Sequence, residues 1–191
     1  MDKLMPFDEL NILKTVVENV MTEKNAEERR KYRDYLFDEI AELLILSYVF
    51  GTDAANSMLD TDYPILEKKV FSSLNKEIAG KDWKERVSEY LETGTAEDIM
   101  RVVTTDAHRI YNEALWNVGQ AALDDGILVF MEWECMMLPT SRDTHIYLQG
   151  EAVPLGEDFY TYDGDYAPHP GAFMFPENNV NCLCRIKLTR A

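Results

Sequence analysis

Nine side chains able to do chemistry crowd the last third of the chain: Cys135, Ser141, Arg142, Asp143, His145, His169, Asn181, Cys182 and Cys184. Cys182 and Cys184 are one residue apart. On a strand, alternate side chains share a face, so both thiols can approach one cation, with His145 or Cys135 completing a soft tetrahedral set suited to zinc. The spacing is not the Cys-x-x-Cys of a zinc knuckle, and two small thiols packed as apolar groups are the plainer account. Asp143 and His145, two apart, share a face if extended, and a carboxylate can orient an imidazole for acid–base work. With Ser141 and Cys135 nearby as nucleophiles, this set sketches a metal-dependent hydrolase or nuclease-like enzyme built on Asp143, His145, Cys182 and Cys184. The chain has no nucleophile elbow and no Gly-rich phosphate loop. The favoured reading of Ser141-Arg142-Asp143-Thr144-His145, following Pro139, is a hydrogen-bonded turn that holds a loop in place.

The elements that must position these residues change character along the chain. Up to Phe130 one proline follows Pro6, at Pro64; Pro139, Pro154, Pro168, Pro170 and Pro176 all fall later. Phe7, Leu10, Leu13, Val16, Val17 and Val20 recur at helical spacing, with Asp8 as N-cap. A second helix is expected from Ala26 through Ile40 and Tyr48 to a stop at Gly51, and a short one from Asp53 to Leu59. Further helical segments follow Asp62-Tyr63-Pro64 and include Trp83, Val87 and Leu91. A long helix starts at Gly94-Thr95 and runs to Asp124, with Ile99, Val103, Ile110, Ala114 and Val118 inward. On it, Arg109 and Glu113 stand at i, i+4 as a pair on a solvated face, so Arg109→Ala is expected to be nearly neutral. Strands are expected at Ile127–Trp133, Ala152–Leu155 and Cys182–Leu188, around a long Gly- and Pro-rich stretch from Tyr160 to Asn181. Trp83, Trp116 and Trp133 read as core anchors. The fold class is therefore α+β: an N-terminal helical bundle over residues 1–126 and a small β-rich C-terminal region with long loops over 127–191, bridged by the long helix.

Composition bounds what such a fold can do. The 191 residues carry 35 acidic and 19 basic side chains, a net charge of −16. The excess is −9 over residues 1–100 and −7 over 101–191, so neither half is a basic module. An acidic surface of this kind repels a phosphate backbone, which disfavours free-standing DNA binding. No apolar run reaches the length of a membrane span, and Met1–Pro6 shows no basic region leading into an apolar block, so neither membrane insertion nor secretion is expected. Three cysteines, two of them one residue apart, make a poor disulfide framework, which favours free thiols or a metal.

The order of the motifs adds a family likeness. The stretch Thr105-Asp106-Ala107-His108-Arg109-Ile110-Tyr111-Asn112-Glu113-Ala114 comes first, then Trp133, then Ser141 through Leu155. Phe173-Met174-Phe175-Pro176 and Asn181-Cys182-Leu183-Cys184-Arg185 complete the series. Together they resemble the phage Mu F-like minor head proteins over residues 75–190. The matching positions are Trp133, Arg142, Asp143, His145, Gly150, Pro176, Asn181, Cys182 and Cys184. Leu183 stands where that family has arginine, and Pro139-Thr140-Ser141 where it has an Asp and an Arg. The resemblance implies a structural head-morphogenesis protein of a tailed phage or prophage. Such a protein contacts portal or capsid protein during head assembly, DNA packaging or ejection. It would lie in the virion, at the head interior or portal and beside packaged DNA, after assembly in the host cytoplasm. The resemblance carries no enzymatic activity and no cofactor, leaving zinc on Cys182, Cys184 and His145 as the metal option.

Overall fold

The computed structural model describes residues 7–191, so the leader reading of Met1–Pro6 lies outside the described residues. It is an α+β chain, long helices first and a small antiparallel sheet region after them. Among the described residues no helix is long and apolar enough to cross a membrane.

Helix α1 spans Phe7–Met21, and Asp8 lies inside it instead of capping it. The expected second helix divides at Lys31 into α2 (Ala26–Arg30), capped by the Asn25 side chain, and α3 (Arg33–Leu59). Gly51 does not stop α3, and Asp53–Leu59 is the end of that same helix. The stop comes at Asp60, in the left-handed region at φ 50° and ψ 55°. Gly51 serves packing, because a Cβ there would sit 2.4 Å from the Tyr111 carbonyl oxygen on the helix that crosses it. After α4 (Glu67–Leu74) come α5 (Trp83–Thr93) and α6 (Ala96–Asp124). Both α5 and α6 open with capping boxes, Asp82 with Glu85 and Thr95 with Asp98, which satisfy otherwise unpaired first-turn N–H groups. The five apolar positions expected to face inward on α6 are all buried.

One core gathers α1, α3, α5 and the first half of α6 around Leu36, Ile40, Trp83 and Ile110. A second joins the ends of α3 and α6 to the sheet through Leu59, Leu115, Met131, Trp133 and Ile186. The sheet has the order β2-β1-β5, all antiparallel, from β1 (Val129–Glu134), β2 (Ala152–Pro154) and β5 (Arg185–Arg190). Strand β5 starts three residues later than expected, because its partner β1 ends at Glu134, opposite Arg185. Cys182 and Cys184 therefore sit in the segment leading into the strand.

The stretch from Tyr160 to Asn181 is organised. It holds most of a hairpin of β3 (Phe159–Tyr160) and β4 (Tyr166–Ala167), and a short helix, α8 (Pro176–Asn179). The buried Asp165 carboxylate accepts from the N–H groups of Met174 and Phe175 at 3.1 and 3.2 Å and from Asn178 at 2.8 Å. Asn179 bonds both backbone groups of Phe173. Side chains here do what a ladder does elsewhere, which periodicity in the sequence does not register.

Arg109 reverses the expectation made for it. It is 1% exposed, and its guanidinium donates to Asp106 at 3.0 Å, Glu113 at 3.1 Å and the Ser73 carbonyl at 2.8 Å. Asp106 also accepts from Arg86 at 2.7 Å. The reason is enclosure: α6 packs against α3, α4 and α5, and Gly171 from the C-terminal region lies against the Arg109 side chain, so this turn of α6 has no solvated face. Removing the guanidinium strands buried carboxylate charge, so Arg109→Ala should cost about 3–5 kcal/mol in urea unfolding. A loss under about 0.5 kcal/mol is what an exposed pair gives and would contradict this placement.

Candidate metal centre

The turn expected at Ser141 to His145 forms, and it ends in a helix. The Ser141 hydroxyl accepts from the Leu138 N–H at 2.9 Å, and the Ser141 N–H donates to the Leu138 carbonyl at 2.9 Å. Arg142 then leads into α7 (Asp143–Tyr147) and donates to the carbonyl of Val180, tying α7 to the segment that carries the cysteines. His145 is buried on α7 between two rings, 5.7 Å from Trp133 in an edge-on contact and 5.4 Å from Phe173 in a stack.

Helix α6 seats the cysteine segment. Asn181, at φ 56°, donates its N–H to the Thr105 hydroxyl at 3.1 Å. Asn112 is wholly buried, donates to the Cys184 carbonyl at 3.0 Å and accepts from the Ile186 N–H at 2.9 Å. Its amide thus pairs with the free edge of β5 as a strand would. The result brings His145 Nδ1 within 3.5 Å of both Cys182 Sγ and Cys184 Sγ. The three donor atoms, all from buried residues, lie within 4.8 Å of one another. A tetrahedral zinc, with Zn–S about 2.3 Å and Zn–N about 2.0 Å, imposes S···N edges of about 3.5 Å and S···S edges of about 3.8 Å. The two S···N edges already have that length. Hydrogen bonding from the Cys184 thiol lowers the pKa of Cys182 and raises that of Cys184, while burial raises that of Cys135.

Asp143 does not join this group. Because the segment is helical, residues two apart point in different directions, and Asp143 faces solvent while His145 faces inward. No carboxylate–imidazole pair forms there, and among the described residues His145 Nε2 has no hydrogen-bond partner, so the polar contacts of the ring are those of Nδ1 with the two thiols. His169 is buried elsewhere, against the Pro170 carbonyl at 3.0 Å and near Trp116, and burial pushes its pKa down to about 4. Trp133 is fully buried beneath the centre, Gly150 closes the turn after α7 at φ 77°, and Pro176 opens α8.

A cavity of about 30 Å³ borders the centre, between Leu138, Arg142, Asn181 and the three ligand-type residues. That is room for about one or two waters, far below the several hundred Å³ of a substrate pocket. A larger cleft of about 660 Å³ lies next to it, between α1, the start of α6 and the segments around Arg142 and Leu183, and no His or Cys lines it among the described residues.

Sequence reasoning did not single out Thr105 and Asn112. Their visible signals are their place in the Thr105–Ala114 stretch of the family likeness and their helical spacing beside the apolar face of α6. No family model, no curated protein and no solved structure matches the chain. Asn112→Ala leaves a buried carbonyl and a buried N–H unpaired, so urea unfolding should show a loss of about 2–4 kcal/mol. A loss within experimental error would mean that β5 and the cysteine segment are held independently of α6.

Proposed function

We propose that the protein is a structural head protein of a tailed phage or prophage, of the Mu F-like minor head type. In this reading it docks on portal or capsid protein, and its β-rich end is closed by a zinc ion on His145, Cys182 and Cys184. The observation that carries the structural over the catalytic reading is the closure of the one His/Cys group found among the described residues. The donors are buried, the adjoining cavity holds a water or two, and the only carboxylate in the motif points to solvent. A catalytic zinc keeps an open position that substrate can reach, whereas a structural zinc is enclosed. The burial of the donors and the small size of the adjoining cavity favour the enclosed kind.

Such an ion would supply cross-linking: His145 on α7 and Cys182 and Cys184 in the segment before β5 would hold it and so be tied to one another. Arg142 adds a positive charge beside Cys182. The strongly acidic surface lets the chain lie beside packaged DNA without adhering to it, and leaves protein as the binding partner. The motif order from Thr105 to Arg185 is what points to portal or capsid protein as that partner.

The test is co-expression of the tagged chain with the portal protein of the phage or prophage that encodes it. A complex that survives size-exclusion chromatography is expected, with the zinc-loaded chain leaving DNA and phosphodiester substrates intact. Metal-dependent hydrolysis without a portal or capsid complex contradicts the reading and favours the hydrolase alternative.

A further inference from the structure

We infer that Cys135 is the fourth ligand of the zinc centre, making it a Cys3His site assembled from the end of β1, α7 and the segment before β5. This rests on the zinc reading of His145, Cys182 and Cys184 and names the atom that fills its remaining position. The argument begins with register. Strands β1 and β5 pair Trp133 with Ile186 and Glu134 with Arg185, where the ladder ends, and continuing that register by one residue places Cys135 opposite Cys184. Directly opposed residues carry their side chains on one face with Cβ atoms about 4.5–5.5 Å apart. The Cys135 thiol accordingly falls on the Cys184 side of the centre, next to the three donors that lie within 4.8 Å of one another and not itself one of them.

Backbone contacts fix the cysteine in that place. The Cys135 N–H donates to the Gln149 side chain at 2.6 Å, and the Trp133 carbonyl accepts from the Gly150 N–H at 2.9 Å, so the chain leaving β1 is tied to the turn after α7. Cys135 is buried, like the other three, and its chain neighbour Met136 lines the small cavity together with His145, Cys182 and Cys184. With Cys135 added to the three grouped donors, a closed structural zinc would have its four ligands on three segments and no position left for substrate. Three thiols lose their protons on binding, which leaves one net negative charge at the site, with Arg142 beside Cys182 as counter-charge.

The experiment uses the full chain loaded with zinc, and with cobalt(II) in its place. X-ray absorption at the zinc edge of the unaltered protein should give three sulfurs at about 2.3 Å and one nitrogen at about 2.0 Å. Two sulfurs with two lighter ligands would overturn the assignment of Cys135 while keeping zinc on the other three. In Cys135→Ser the sulfur-to-cobalt charge-transfer absorbance should fall by about one third, with one metal still bound and lost at lower chelator concentration. An unchanged absorbance also overturns the assignment. A chain that takes up neither metal overturns the zinc reading itself.

Discussion

A single buried amide holds the helical and β-rich parts of this protein in register. Asn112 projects from the middle of α6 and pairs with the Cys184 carbonyl and the Ile186 N–H, the two backbone groups that an edge strand would otherwise leave open. Burying these groups unpaired is costly, so the contact selects one seating of β5 on α6. That seating sets where Cys182 and Cys184 stand, just ahead of the end of the β1–β5 ladder at Glu134 and Arg185. One turn earlier on α6, Arg109 and Asp106 form a buried ion pair that also receives Arg86 and the Ser73 carbonyl. A helix that belongs to both cores thus carries Asp106, Arg109 and Asn112 inside, each with a defined partner.

The parts of the fold that follow periodicity were legible in the sequence. The α6 boundaries came from Thr95 and Gly126 and its inward face from Ile99 to Val118, because caps and apolar spacing are local signals. Glycine misled at Gly51, where the residue permits a close helix crossing instead of ending a helix. Arg109 misled for a related reason: an i, i+4 charge pair looks the same on a wet face and inside a core, and only the elements around it decide. The hairpin and short helix between Phe159 and Asn179 depend on Asp165 and Asn179 bonding backbone groups several residues away, which carries no period.

The candidate site was legible in its ligands and not in its geometry. Cys182, Cys184 and His145 converge as their types suggested, although the cysteines lie before the strand and the histidine lies on a helix. Asp143 drops out because helical spacing turns it away from His145. The outcome separates two chemistries that share the same residues. With the carboxylate in solvent and the thiols enclosed, the group suits holding an ion more than activating a water, in keeping with the structural role proposed for the chain.

The central claim is that a metal ion closes the β-rich end, and native mass spectrometry of the chain purified without added metal tests it most directly. The account predicts one zinc per folded chain, lost on chelation together with the near-ultraviolet signal of the buried Trp133. A metal-free mass for a chain that keeps the same fold and the same melting temperature in chelator would contradict it.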